Sequence, residues 1–165
     1  MKPLDENQVE AAQGLRNLMS GVTCYRLGQS TTRAQNLAEQ GILIAEDVRD
    51  HVATFDAQRA LMKEYIGDLR VIADLDGADG AYQTAHDEYA EIDNPIHWQA
   101  EPAFQVLMTE FLSMAKAAGH DIPRMEKPSI KTESLVNRIA YKREHFPEIV
   151  ESLLTVDKWD EVHGP

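Results

Sequence analysis

Apolar residues recur along most of this chain at three- and four-residue intervals, the spacing that aligns side chains on one face of an α-helix. In the first run Val9, Ala12, Leu15, Met19 and Val22 follow Asp5 on one stripe, and Gly28 is placed to end it. Ser30 is suited to cap a second run, which carries Leu37, Gly41, Ile44, Val48, Val52, Phe55, Arg59, Met62, Ile66, Leu69 and Ala73. The spacing is close to heptad. The two four-residue steps from Ile44 to Val48 to Val52 form a stutter that would relax a coiled coil locally. No proline lies between Pro3 and Pro95, so this run predicts one helix of about 40–45 residues, close to 70 Å at 1.5 Å per residue. Thr54 and Asp56 offer the alternative, a break with a new cap. A rod of that length is wider than a domain of this size and needs either folded-back helices or a second copy of the chain.

Beyond a turn at Gly77 and Gly80, a short helix is predicted over 81–92. Its only large apolar residues are Tyr82, Tyr89 and Ile92, so it is expected to be mostly exposed. Asn94-Pro95 breaks the chain. Phe104, Leu107, Met108, Phe111, Leu112 and Ala115 then define a core helix that ends at Gly119. The connector HDIPRMEKP leads to a helix near Thr132, where TESL supplies a cap and an acidic first turn. Pro147 starts or kinks a last segment with Ile149, Val150, Leu153 and Leu154. The expected architecture is a single all-α domain over 1–165, a helical bundle or hairpin. An N-terminal helix and the long helix occupy 1–75, and shorter helices occupy 81–160.

With 165 residues, 43% of them hydrophobic, the chain can bury one sizeable core. A net charge of −12 disfavours direct contact with nucleic acid or an anionic membrane. The single cysteine, Cys24, is expected to be a core residue in a reducing compartment. The start, MKPLDENQVEAAQ, lacks the apolar segment of a signal peptide, and the longest aliphatic run is ILIA at 42–45. Together these features predict a cytoplasmic chain.

The charge imbalance is local. Residues 76–102 hold seven acidic side chains and no Lys or Arg, more than half the net charge. An EF-hand loop is excluded by spacing. Counting from Asp74 puts Ala78, Asp79 and Ala85 where an oxygen ligand, glycine and glutamate are needed, and the register set by Asp79-Gly80 puts Leu75 and His86 at the two ends. The Asp and Gly residues there read as a helix-ending turn. Asp87, Glu88 and Glu91 fall on one helical face. That face could be solvated, could hold magnesium beside a substrate phosphate, or could meet a basic protein. His120-Asp121, between Gly119 and Pro123, reads as a turn rather than part of a phosphohydrolase site, and His51 and His145 lie among polar neighbours as surface residues. There is no Glu-x-x-His pair for a di-iron bundle, no phosphate loop, no zinc spacing and no nucleophile elbow.

The stretch GHDIP, followed by NRIAYKREHFPEIVESLLTVDKWDEVHG, resembles the tail of the all-α nucleoside triphosphate pyrophosphohydrolases, the MazG-like family. The likeness covers about a quarter of the chain: a Gly-x-Asp-Leu-Pro-like turn, a basic segment before aromatic-proline, and a Lys-aromatic pair with a following acid. It implies that Glu88 and Glu91 of DEYAE match the family's first glutamate motif and hold magnesium. The second motif, Glu-x-x-Asp, is not matched, because EPAFQ offers Glu101 and Gln105 with no Asp in place; Asp47, Asp50, Glu64 and Asp68 precede the first motif.

The residues favour a different role, an acidic helical module that binds and regulates or inhibits a basic, possibly nucleic-acid-binding, protein. Asp76, Asp79, Asp87, Glu88, Glu91, Asp93 and Trp98 are the expected contact residues, with no catalytic residue, metal or cofactor assigned. Self-association as a homodimer is expected through the Leu37-to-Leu69 stripe. The magnesium-dependent hydrolase is the alternative.

Overall fold

A computed structural model describes residues 6–53, 56–92, 102–122 and 132–155. Among them the chain forms six α-helices and one π-helical turn, and no strand. The helices are α1 (Glu6–Leu27), α2 (Thr31–Asp47), α3 (Asp56–Ile72), α4 (Ala78–Ala90), α5 (Pro102–Ala117) and α6 (Thr132–Leu153). The all-α expectation holds. No described helix is long and apolar enough to cross a membrane.

The expected rod is instead two helices. After Asp47 the backbone widens into a π turn, Val48–Val52, closed by a bond from Ala53 N–H to Val48 O at 2.7 Å. Ala53 is extended (ψ 126°), and α3 starts at Asp56, the residue expected to cap a new helix. Hydrogen bonds at both ends show that α2 and α3 run antiparallel. Gln35 Nε2 donates to Asp74 O at 3.1 Å, while Arg49 Nη1 donates to Arg59 O at 2.9 Å. The stripe predicted to join two copies of the chain is largely consumed inside this hairpin. Gly41, Val48, Met62, Ile66, Leu69 and Ala73 are buried, whereas Ile44 and its neighbour Leu43 remain 46% and 66% exposed.

α3 is central. It packs on α1, α2, α4 and α6, and Leu61, Met62, Tyr65, Ile66, Leu69 and Ile72 are buried around most of its circumference, leaving a narrow stripe of Asp56, Arg59, Lys63 and Arg70 partly open to solvent. Three helices end in the same reversal. In each, one residue takes a left-handed backbone and two amides fold back on the last turn. That residue is Gln29 (φ 62°) after α1, Asp74 (φ 58°) after α3 and Gly119 (φ 87°) after α5. The expected stop at Gly28 is therefore displaced by one residue. Ser30 does occupy the position before α2, but its hydroxyl makes no capping bond.

Two further expectations need correction. Cys24 is exposed rather than in the core, because the inward face of α1 runs through Leu15, Val22 and Thr23. The predicted exposed helix over 81–92 is α4, which buries Ala81, Tyr82, Ala85 and Tyr89. Small alanines let it approach its neighbours, and the two tyrosines find polar partners inside. Of the two alternatives for Pro147, a helix start or a kink, the start is ruled out: α6 runs through it.

The closest approach of α3 and α4 is at Gly67, where an added Cβ would lie 2.5 Å from the Tyr82 ring. Overpacking costs about 1–3 kcal/mol, against about 1 kcal/mol gained from helix propensity. Gly67→Ala is therefore expected to be destabilised by up to about 2 kcal/mol in urea unfolding; a stabilised variant would contradict this packing.

Candidate functional site

Four charged side chains meet in the middle of the bundle. Glu64 and Asp68 stand one turn apart on α3, and Arg138 and Lys142 stand one turn apart on α6. All four are 0–1% exposed. Arg138 donates to Glu64 through Nε at 2.7 Å and Nη2 at 2.5 Å. Lys142 Nζ donates to Glu64 and Asp68 at 2.8 Å each. From α4, Tyr89 OH donates to Glu64 at 2.8 Å and Tyr82 OH to Asp68 at 2.5 Å. Two positive and two negative groups make the cluster neutral, the condition under which buried charge is tolerable. Lys142 Nζ also lies 5.3 Å from the Phe111 ring centroid and 5.5 Å from that of Phe146.

Burial raises both carboxyl pKa values, but the surroundings differ. Glu64 faces two cations, which override burial and hold it down to about 2. Asp68 is pushed up by burial and by Glu64 beyond what Lys142 offsets. Burial, with the adjacent carboxylates, lifts Tyr82 and Tyr89 well above the ordinary tyrosine range. Arg138 is raised because Glu64 outweighs burial. Glu64 is thus ionised and the phenols protonated at neutral pH, while Asp68 is the carboxylate that takes up a proton more readily.

Beside it opens a cavity of about 160 Å³ between α1, α3, α5 and α6. Asp68 and Lys142 form part of its wall, and the ion pair between Arg16 and Glu110 stands across it.

The seven residues expected to contact a partner are distributed unevenly. Asp76 and Glu91 are exposed at the two ends of α4 and make no ion pair among the described residues. Asp87 is exposed, accepts a bond from Gln83 Nε2 at 2.8 Å and lies 3.2 Å from His86 Nδ1, contacts that hold its carboxyl below the usual range. Asp79 is bound in a fork by Arg143 of α6, whose hydrogen bonds lower its pKa. Glu88 is bound in a fork by Arg49 of the π turn, with Nη1 to Oε2 at 2.9 Å. Asp93 and Trp98 lie outside the described residues. A segment with no cation of its own thus receives two from distant parts of the chain. Neither Arg49 nor Arg143 could be assigned to it from local sequence.

A magnesium ion on Glu88 and Glu91 would have to displace Arg49. Of the earlier acids considered, Glu64 accepts from Arg138, Lys142 and Tyr89, and Asp68 from Lys142 and Tyr82, inside the bundle, while Asp47 and Asp50 are exposed on α2 and the π turn. No family model, curated protein or solved structure matches this chain. The pyrophosphohydrolase resemblance therefore brings no family membership.

Arg138 and Lys142 are not among the candidate residues that the sequence suggested. Both occupy the apolar stripe of α6, between Leu135, Ile139 and Phe146, and charges in a buried stripe matching an i, i+4 acid pair elsewhere were the available signal. Glu64→Gln leaves Arg138 buried without its counter-ion and is expected to cost about 3–5 kcal/mol. Asp68→Asn should cost clearly less, because Lys142 retains Glu64. Equal losses in urea unfolding at neutral pH would contradict this division.

The pH dependence has opposing parts. Glu64 is depressed, so its stabilisation is full above about pH 4.5 and is lost as pH falls toward 2. Asp68 is raised, so its protonation on acidification favours the fold and offsets part of that loss. Unfolding free energy should fall more steeply from pH 5 to pH 2.5 in Asp68→Asn than in the native chain; parallel curves would refute the offset.

Proposed function

We propose that this chain is a non-enzymatic helical interaction module that binds, and by covering it regulates or inhibits, a basic protein. The observation that carries this reading is that the carboxylates of Asp76, Asp87 and Glu91 stay exposed on and beside α4 without an ion pair to Lys or Arg among the described residues. Arg143 and Arg49 narrow the surface by neutralising Asp79 and Glu88, and they also fix the helix that presents the other three. Complementary charge at such a rim speeds encounter and discriminates partners, and it is screened by salt. The hydrolase reading has less support, since Glu88 is held by Arg49 and the second acidic motif is not matched.

The test compares two charge reversals of equal size. Asp76→Lys, Asp87→Lys and Glu91→Lys together should weaken capture of the partner at low salt by roughly tenfold or more. Glu39→Lys, Asp47→Lys and Asp50→Lys, exposed on α2 and the π turn, should leave it nearly unchanged. Equal effects would point to net charge alone, and no effect of the first set would remove the proposed surface. Magnesium-dependent turnover of any nucleoside triphosphate, lost in Glu88→Gln, would replace the reading with the hydrolase.

A further inference from the structure

Where α5 ends, the left-handed Gly119 turns the chain so that His120 lies against α6. On the facing side of α6, Tyr141, Glu144, His145 and Glu148 follow at spacings that place them on one stripe. His120 Nε2 lies 3.3 Å from Glu148 Oε1, and His145 Nδ1 lies 3.1 Å from the same oxygen. One ligand atom from each of the three residues can be chosen so that all lie within 4.8 Å of one another.

We propose that His120, His145 and Glu148 form a binding site for a divalent transition metal, zinc foremost. Two imidazoles and one carboxylate are a zinc donor set of the kind that leaves a fourth position open. Nitrogen ligands select zinc and its neighbours over magnesium and calcium, which take oxygen. Bonds of about 2.0–2.1 Å in a tetrahedron place ligand atoms about 3.3 Å apart, close to the two His-to-Glu148 distances. The third edge, between the two ring nitrogens, is no longer than 4.8 Å, so the imidazoles close on the ion by a small movement, and the Glu148 side chain, 62% exposed, is free to follow them.

The second observation concerns the nitrogens that point away from this centre. His120 Nδ1 is 2.6 Å from Tyr141 OH, and His145 Nε2 is 3.6 Å from a Glu144 carboxylate oxygen. Metal-bound histidines are commonly oriented in this way, with the far ring nitrogen held by an oxygen. Both rings also pack against Tyr141, with centroids at 5.8 and 4.4 Å. The His120 ring is therefore oriented by its hydrogen bond before any ion arrives, and the His145 ring is braced by its stack on Tyr141. His120 lies in the turn after α5 and His145 on α6, which is why spacing alone did not reveal the site.

The test uses the full chain, free of any affinity tag and stripped with a chelator. It is titrated with Zn²⁺ against a chromogenic competitor, and with Co²⁺ while the visible spectrum is recorded. One equivalent should bind with micromolar or tighter affinity, and Co²⁺ should give the bands of a four- or five-coordinate ion. His120→Ala and His145→Ala should each weaken binding by roughly a hundredfold or more, and Glu144→Gln and Tyr141→Phe by about ten- to a hundredfold with the stoichiometry kept. His51→Ala, at an exposed position on the π turn, should have no effect. Glu148→Gln, whose exposure keeps folding out of question, should weaken binding by roughly tenfold or more. Absence of saturable one-equivalent binding, undiminished affinity in Glu148→Gln, or binding that survives loss of both histidines would overturn the proposal.

Discussion

The paired charges between α3 and α6 constrain everything around them. Removing a carboxylate or an ammonium from water costs several kcal/mol even after relaxation, and Coulomb attraction repays it only when geometry also satisfies the remaining donors and acceptors. Here the repayment depends on register. Glu64 and Asp68 repeat at one helical turn, as do Arg138 and Lys142, so the two helices lie parallel with 64 beside 138 and 68 beside 142. A slip of one turn would leave one carboxylate and one cation facing apolar neighbours. The penalty for that mismatch is far larger than the net worth of the pairs themselves. Their structural consequence is thus a fixed alignment of α6 along α3.

The same constraint reaches α4. Tyr82 and Tyr89 are seven residues apart and therefore on one face, and each must give its hydroxyl to a different carboxylate of α3. Gly67 removes the side chain that would keep the Tyr82 ring away. On the outside, Arg143 holds Asp79 and Arg49 holds Glu88. Arg49 reaches Glu88 from the π turn, where the extra residue per turn shifts the directions of the side chains beyond it. The acids that remain free on α4 are consequently displayed on a helix fastened from within and from both flanks.

What the sequence made legible follows the range over which its signals act. Periodicity located the stripes of α1, α5 and α6, and Gly119 marked the end of α5, because these depend on residues within a turn or two. The break between α2 and α3 was foreshadowed only by Thr54 and Asp56, since neither glycine nor proline stands there and Val48 and Val52 fit a continuing stripe. α4 was misjudged because its burial rests on alanines, which carry little hydrophobic signal, and on tyrosines whose hydroxyls find their partners on another helix, 14 and 25 residues away. The acidic segment was judged by its own composition, while the cations that answer Asp79 and Glu88 come from residues 143 and 49. Charge balance is a property of folded neighbours, and a local count does not report it.

α6 shows how one amphipathic helix serves several such non-local relations at once. Arg138, Lys142 and Phe146 turn inward to the ionic cluster and the aromatic wall. Arg143, one position on, is rotated by roughly 100° and meets α4. Tyr141, His145 and Glu148 occupy a further face and meet the end of α5 at His120. Because the buried pairs lock the rotation and height of α6, they also set where those outer faces arrive. The spacing among His120, His145 and Glu148 is therefore inherited from interactions in the core that none of the three residues makes, and a change that let α6 turn about its axis would alter the histidine cluster and the α4 contact together.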